Sequence, residues 1–127
     1  MNRLIYILAI FIGLGLSSCD SNKPFEKNKW KKHVDGFYPY RNDMVEDLLK
    51  TKEFKGRNIS YVFEILGEHD DWCDHNMHEL KYQVLVDYGR DIDPVHTKYL
   101  VFELNKADTL IDSTTIVTGV RIDEWEK

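Results

Sequence analysis

His69-Asp70-Asp71-Trp72-Cys73-Asp74-His75-Asn76-Met77-His78 is the densest run of chemistry-bearing side chains in the sequence. Imidazole, thiolate and carboxylate are the donors that zinc or copper selects. His75 and His78 would converge on one ion if the segment turned helically, with His69 and Cys73 as further ligands. No His-Glu-x-x-His or Cys-x-x-Cys pattern accompanies them. Polar His/Asp-rich connections are ordinarily just solvated, so the expectation is a polar loop with no metal and no cofactor. Nucleophilic chemistry has less support. Cys73 sits among carboxylates, which disfavour a thiolate, and no Gly-x-Ser-x-Gly elbow or phosphate-cradling glycine loop occurs. Asp91 and Asp93 precede Pro94 in a turn, where aspartate is expected for backbone reasons. A non-enzymatic chain is expected, with Trp72 as the contact residue for a partner, because tryptophan is enriched at binding surfaces.

Covalent chemistry is expected at Cys19. Met1-Asn2-Arg3 is a positive start, residues 4–16 are an apolar run, and Leu16-Ser17-Ser18-Cys19 follows. This order is that of a secretory signal. The run is too short for a comfortable membrane span, which takes about 20 apolar residues. Leu-Ser-Ser-Cys resembles the bacterial lipobox, in which the cysteine becomes the acylated first residue of the mature chain. Residues 1–18 then form a signal peptide, and Cys19 ties the protein to the membrane through its acyl chains. A lipidated Cys19 leaves Cys73 without a disulfide partner, so the core alone must hold the domain.

The whole chain carries 17 Lys+Arg against 22 Asp+Glu. Removal of Arg3 with the signal makes the mature part still more acidic. That balance argues against nucleic acid, whose binding rests on neutralising phosphates. Lys27, Lys29, Lys31 and Lys32 around Trp30 are a local exception, read as a solvated linker in preference to a headgroup-binding patch. With Pro24, they place a flexible tether over residues 19–36 and the domain over residues 37–127.

Within that domain, Asn42 or Asp43 with Glu46 forms a capping-box pattern ahead of the Met44, Val45, Leu48, Leu49 stripe. Asn58 caps a second helix, whose apolar face is Ile59, Val62, Phe63 and Leu66 and whose end is Gly67. From Leu80 the period changes to two. Leu80, Tyr82, Val84 and Val86 describe one strand, Leu100, Phe102 and Leu104 a second, and residues 109–121 a third. The expected fold class is α+β, with two helices on one face of a three-stranded antiparallel meander. Trp30 and Trp125 fall in tether and tail, outside the core elements.

The stretch Gly56-Arg57-Asn58-Ile59-Ser60-Tyr61-Val62-Phe63-Glu64-Ile65-Leu66-Gly67, followed by Tyr82 and by the apolar residues 100–104, resembles the SmpA/OmlA family of small lipoproteins. In that family a glycine starts a capped helix containing a valine, Leu-Leu-Gly ends it, and a tyrosine-bearing strand follows. The resemblance covers roughly residues 40–118. It implies a helix-helix-sheet fold, shared with small β-lactamase-inhibitor domains, and an outer-membrane more than an inner-membrane location. His69 stands where the family has a proline, and residues 37–43 do not match its Pro-Asp-Ile-x-Gln-Gly motif. The resemblance therefore implies a fold more than a role in barrel assembly. The function expected is a lipid-anchored envelope protein that binds another envelope protein. A protein inhibitor or immunity factor working through the Trp72 loop, or a metal-binding lipoprotein, are the alternatives.

Overall fold

Among the described residues Trp30 is the largest fully buried side chain, and it brings the lysine-rich segment into the domain. The computed structural model describes residues 22–68, 78–107 and 110–127. The first element, α1, is the single turn Lys27–Lys31. It turns its indole inward against the rings of Phe25 and Tyr82, with centroids 5.8 and 6.5 Å away. Upstream, the Lys23 N–H donates to the Asp43 carbonyl and the Phe25 N–H to the Asp47 carboxylate, both at 2.8 Å. The tether expected over residues 19–36 is therefore corrected: from about residue 23 the chain is docked on the domain. Three lysines out and one tryptophan in make a turn that is amphipathic without an apolar run, which is why composition hid it.

Helix α2, Arg41–Thr51, buries Met44, Val45 and Leu48 as its stripe requires. Its expected capping box does not form. Tyr40 occupies the N-cap in helical backbone conformation and makes no side-chain cap. Asn42 instead accepts from Lys98 Nζ at 3.0 Å, and Asp43 pairs with Lys23 at 3.3 Å. Burial of Arg41 draws the first turn upstream of the residues suited to cap it.

Helix α3, Ile59–Leu66, follows its local signals closely. The Asn58 side chain accepts from the Ser60 N–H at 2.9 Å, satisfying one of the free donors of the first turn. Gly67 ends the helix at φ +83°, and the Lys31 side chain fills the place a Cβ would take. Only glycine meets both conditions without strain.

Strands β1 (Glu79–Asp87), β2 (His96–Leu104) and β3 (Val117–Glu126) form an antiparallel sheet in the order β1-β2-β3. The fold is α+β, with the helices preceding the sheet in sequence. The third strand begins later and ends later than residues 109–121. Asp112 is the reason for the late start. It accepts from the Thr114 N–H and hydroxyl and from Lys106, holding residues 112–115 in a turn. Those bonds, Thr114 first, lower the Asp112 pKa from 3.8 to about 2. Trp125 consequently pairs with Thr97 within β3 and does not lie in a tail.

Leu80, Phe102 and Val120 stand in one register row, and Tyr82, Leu100 and Ile122 in the next. These rows face the helices and build the core with Met44, Leu48, Phe54, Val62 and Leu66. Leu66→Ala is expected to cost about 2–5 kcal/mol in chemical denaturation, as buried leucine truncations do. A loss under about 1 kcal/mol would mean that α3 contributes little to the core.

Candidate functional site

The opposite face of the sheet carries the side chains that alternate with the core rows. Lys81, Val101 and Arg121 share one register row, flanked by Glu79, Glu103 and Gly119 on one side and Gln83, Tyr99 and Asp123 on the other. Val101 is fully buried here although it lies outside the helix-packed core. The aliphatic stems of long charged neighbours cover such a position while their heads stay in water.

Arg121 organises the row. Its Nη2 donates to Glu79 at 2.7 Å, its Nη1 to Glu103 at 2.8 Å and its Nε to Asp123 at 2.8 Å. Each strand thus contributes one carboxylate to a single guanidinium. Asp123 and then Glu79 push the Arg121 pKa above its ordinary value. Gly119 makes this possible, because the Glu103 carboxylate lies where a Cβ at 119 would project. Exposed ion pairs of this kind contribute little to stability, about 0–1 kcal/mol each. Their effect is to fix the orientation of charged groups on the face.

Beside the array lies a cleft of about 550 Å³. Lys81, Gln83, Val86 and Tyr99 form its floor, and Phe37 and Tyr88 belong to its rim. The Phe37 and Tyr88 rings meet edge to face with centroids 6.1 Å apart, and both remain part-exposed. Aromatic walls with one cation and one amide suit an apolar or aromatic group of a partner, oriented by a few polar contacts.

Of the residues singled out from sequence, Cys19, His69, Trp72, Cys73 and His75 lie outside the described residues. His78 is exposed immediately before β1, and its carbonyl accepts the Leu104 N–H at 2.8 Å. Among the described residues, no three His, Cys, Asp or Glu side chains are grouped to hold a metal. Asp91 pairs with Lys127 at 3.1 Å in the β1–β2 connection, and Asp93 is exposed beside it. His96 sits 2.7 Å from Glu124, and that hydrogen bond holds the Glu124 carboxyl below the usual range. Sequence reasoning missed Arg121, Lys81, Phe37, Tyr88 and Tyr99 as site residues. Alternation along the strands gives their face, but only the pairing register brings Glu79, Glu103 and Asp123 to one arginine. No family model, curated protein or solved structure matches the chain.

Proposed function

We propose that this chain is a lipid-anchored bacterial envelope protein whose small α+β domain is a non-enzymatic protein-interaction module. The open face of the sheet is its contact surface. The observation that carries this reading is the pairing of an aromatic-rimmed cleft with a charge array that draws one carboxylate from each strand. Interfaces concentrate aromatic and arginine anchors in this way. The residues 1–19 pattern supports the anchor, and the helix-before-sheet order agrees with the architecture that the SmpA/OmlA resemblance implies. Attachment in this reading rests on Cys19; among the described residues no helix is long and apolar enough to cross a membrane.

The test is photo-crosslinking in intact cells, with a reactive side chain placed on the open face. A discrete envelope protein should be captured by the otherwise unaltered chain. The Lys81→Glu/Arg121→Ala variant should lose it while still unfolding in one cooperative transition, at a lowered melting temperature because Glu79, Glu103 and Asp123 lose their arginine. Undiminished capture by that variant, with loss on altering the exposed Glu46 and Lys50 of α2, would place the contact on the helical side and refute the reading.

A further inference from the structure

We propose that the β1–β2 hairpin end of the domain rests against the lipid headgroup layer, with Ile92 at the contact and the open sheet face turned sideways. This rests on the reading of Cys19 as the acylated anchor. Its starting point is the length of chain between that anchor and the folded domain. Lys23 is already hydrogen-bonded to Asp43, so only Asp20, Ser21 and Asn22 lie between anchor and docked chain. The four Cα-to-Cα steps from Cys19 to Lys23 reach at most roughly 14 Å at about 3.3–3.6 Å each. The headgroup layer itself is about 5–7 Å deep on each side of the bilayer. So short a span holds the domain within about 10 Å of the surface.

The direction of the chain selects which end meets the membrane. Residues 23 and 25 bond beside Asp43 and Asp47, so they run alongside α2 in its own direction. The described chain therefore begins beside the start of α2. That start lies at the hairpin end of the sheet, because Asn42 bonds Lys98, which pairs with Leu85 two rungs from the end of the ladder. The described chain thus begins at the hairpin pole, and the short reach from Lys23 back to Cys19 makes that pole the one nearest the anchor.

Exposed apolar surface is concentrated at that same pole. Among the described residues, the large apolar side chains left exposed are Val34, Phe37, Tyr40, Tyr88, Ile92 and Trp125, together with Leu110. Val34 bridges Phe37, Phe37 packs on Tyr88, Tyr40 precedes α2, and Trp125 pairs beside the end of the hairpin. Ile92, 93% exposed, is in the hairpin connection itself. Leu110 alone is at the opposite pole, in the β2–β3 connection. Tyrosine and tryptophan suit the interface, where one part of the ring is apolar and the other wet. The charges at this end are mixed: Lys127 pairs with Asp91, Lys32 lies over the Tyr40 ring, and Arg90, Asp93 and Glu126 are exposed. The contact is therefore apolar and not an electrostatic attraction to anionic lipid. Tethering makes even a weak contact persistent, since it acts at an effective concentration on the order of mM.

The experiment uses the acylated full chain, purified from membranes with Cys73→Ser and reconstituted in phosphatidylcholine vesicles. An environment-sensitive fluorophore is attached at Ile92→Cys or, as the opposite-pole control, at Leu110→Cys. Expected is a blue-shifted, several-fold brighter emission at 92 that spin-labelled lipid quenches and added salt leaves in place. The probe at 110 should report water. If the chain carries no acyl group and does not float with vesicles, the anchor reading fails and takes this inference with it. If the chain floats but both probes report water, the contact alone is overturned. A shift at 92 that salt abolishes, or that needs an added envelope protein, also overturns it.

Discussion

Trp30→Ala is expected to destabilise the domain by about 3–5 kcal/mol, the range for truncating a buried tryptophan. Against a small-domain stability of roughly 5–15 kcal/mol this is a large share. The indole is fully buried, touches Phe25 and Tyr82, and joins the core that spans both longer helices and the sheet. A tryptophan in a solvated tether would change stability by less than about 0.5 kcal/mol, so urea denaturation separates the two pictures without ambiguity. Trp30→Phe should lose much less. The Nε1–H is buried without a hydrogen-bond partner among the described residues, so its removal relieves an uncompensated donor while part of the ring contact survives. Equal losses in the two variants would contradict this account of the pocket.

The contrast between Trp30 and α3 shows what the sequence could disclose. Helix α3 was legible because its signals are local: Asn58 before the stripe, Ile59, Val62 and Leu66 at helical spacing, and Gly67 after it. The α+β class was legible for a similar reason, since a change of period from helical to two-residue alternation needs no knowledge of distant contacts. Helix α1 has a single apolar residue, and only its contacts with the two longer helices and with the Tyr82 ring reveal which way it faces. The start of α2 was misplaced because a buried arginine outweighed the side chains suited to cap the helix. The open-face site was hidden most deeply. Glu79, Glu103, Arg121 and Asp123 look like ordinary solvent-facing positions until the register sets them side by side. His78, the only described member of the His/Asp-rich run, serves the sheet through its backbone.

Arg41→Ala is the second large loss expected, and its consequences reach the proposed orientation on the membrane. Arg41 is 2% exposed. Its Nε donates to the Trp30 carbonyl and its Nη1 to the Gln83 carbonyl, both at 2.8 Å. The guanidinium lies 3.4 Å from the centroid of the Tyr38 ring and 4.9 Å from that of Trp30. One planar cation thus clamps α1, the segment before α2 and the middle of β1. Charge-assisted hydrogen bonds contribute about 1.5–3 kcal/mol each, so losing two should cost about 3–6 kcal/mol. Arg41→Lys should recover less than half, because an ammonium cannot span two carbonyls or stack flat on a ring. The Trp30→Ala and Arg41→Ala losses should also fail to add, with a coupling of about 0.5–3 kcal/mol as for residues in direct contact. Amide exchange should show where the clamp acts. In a folded Arg41→Ala chain, protection should fall first across residues 22–40 while Leu80, Leu100 and Phe102 keep theirs. Release of that segment would lengthen the three-residue span to the anchor several-fold. The probe at Ile92 should then lose its lipid signal in a chain that still folds and still carries its acyl group. Uniform loss of protection over the whole sheet, or a cost below about 1 kcal/mol, would show that Arg41 is not the clamp.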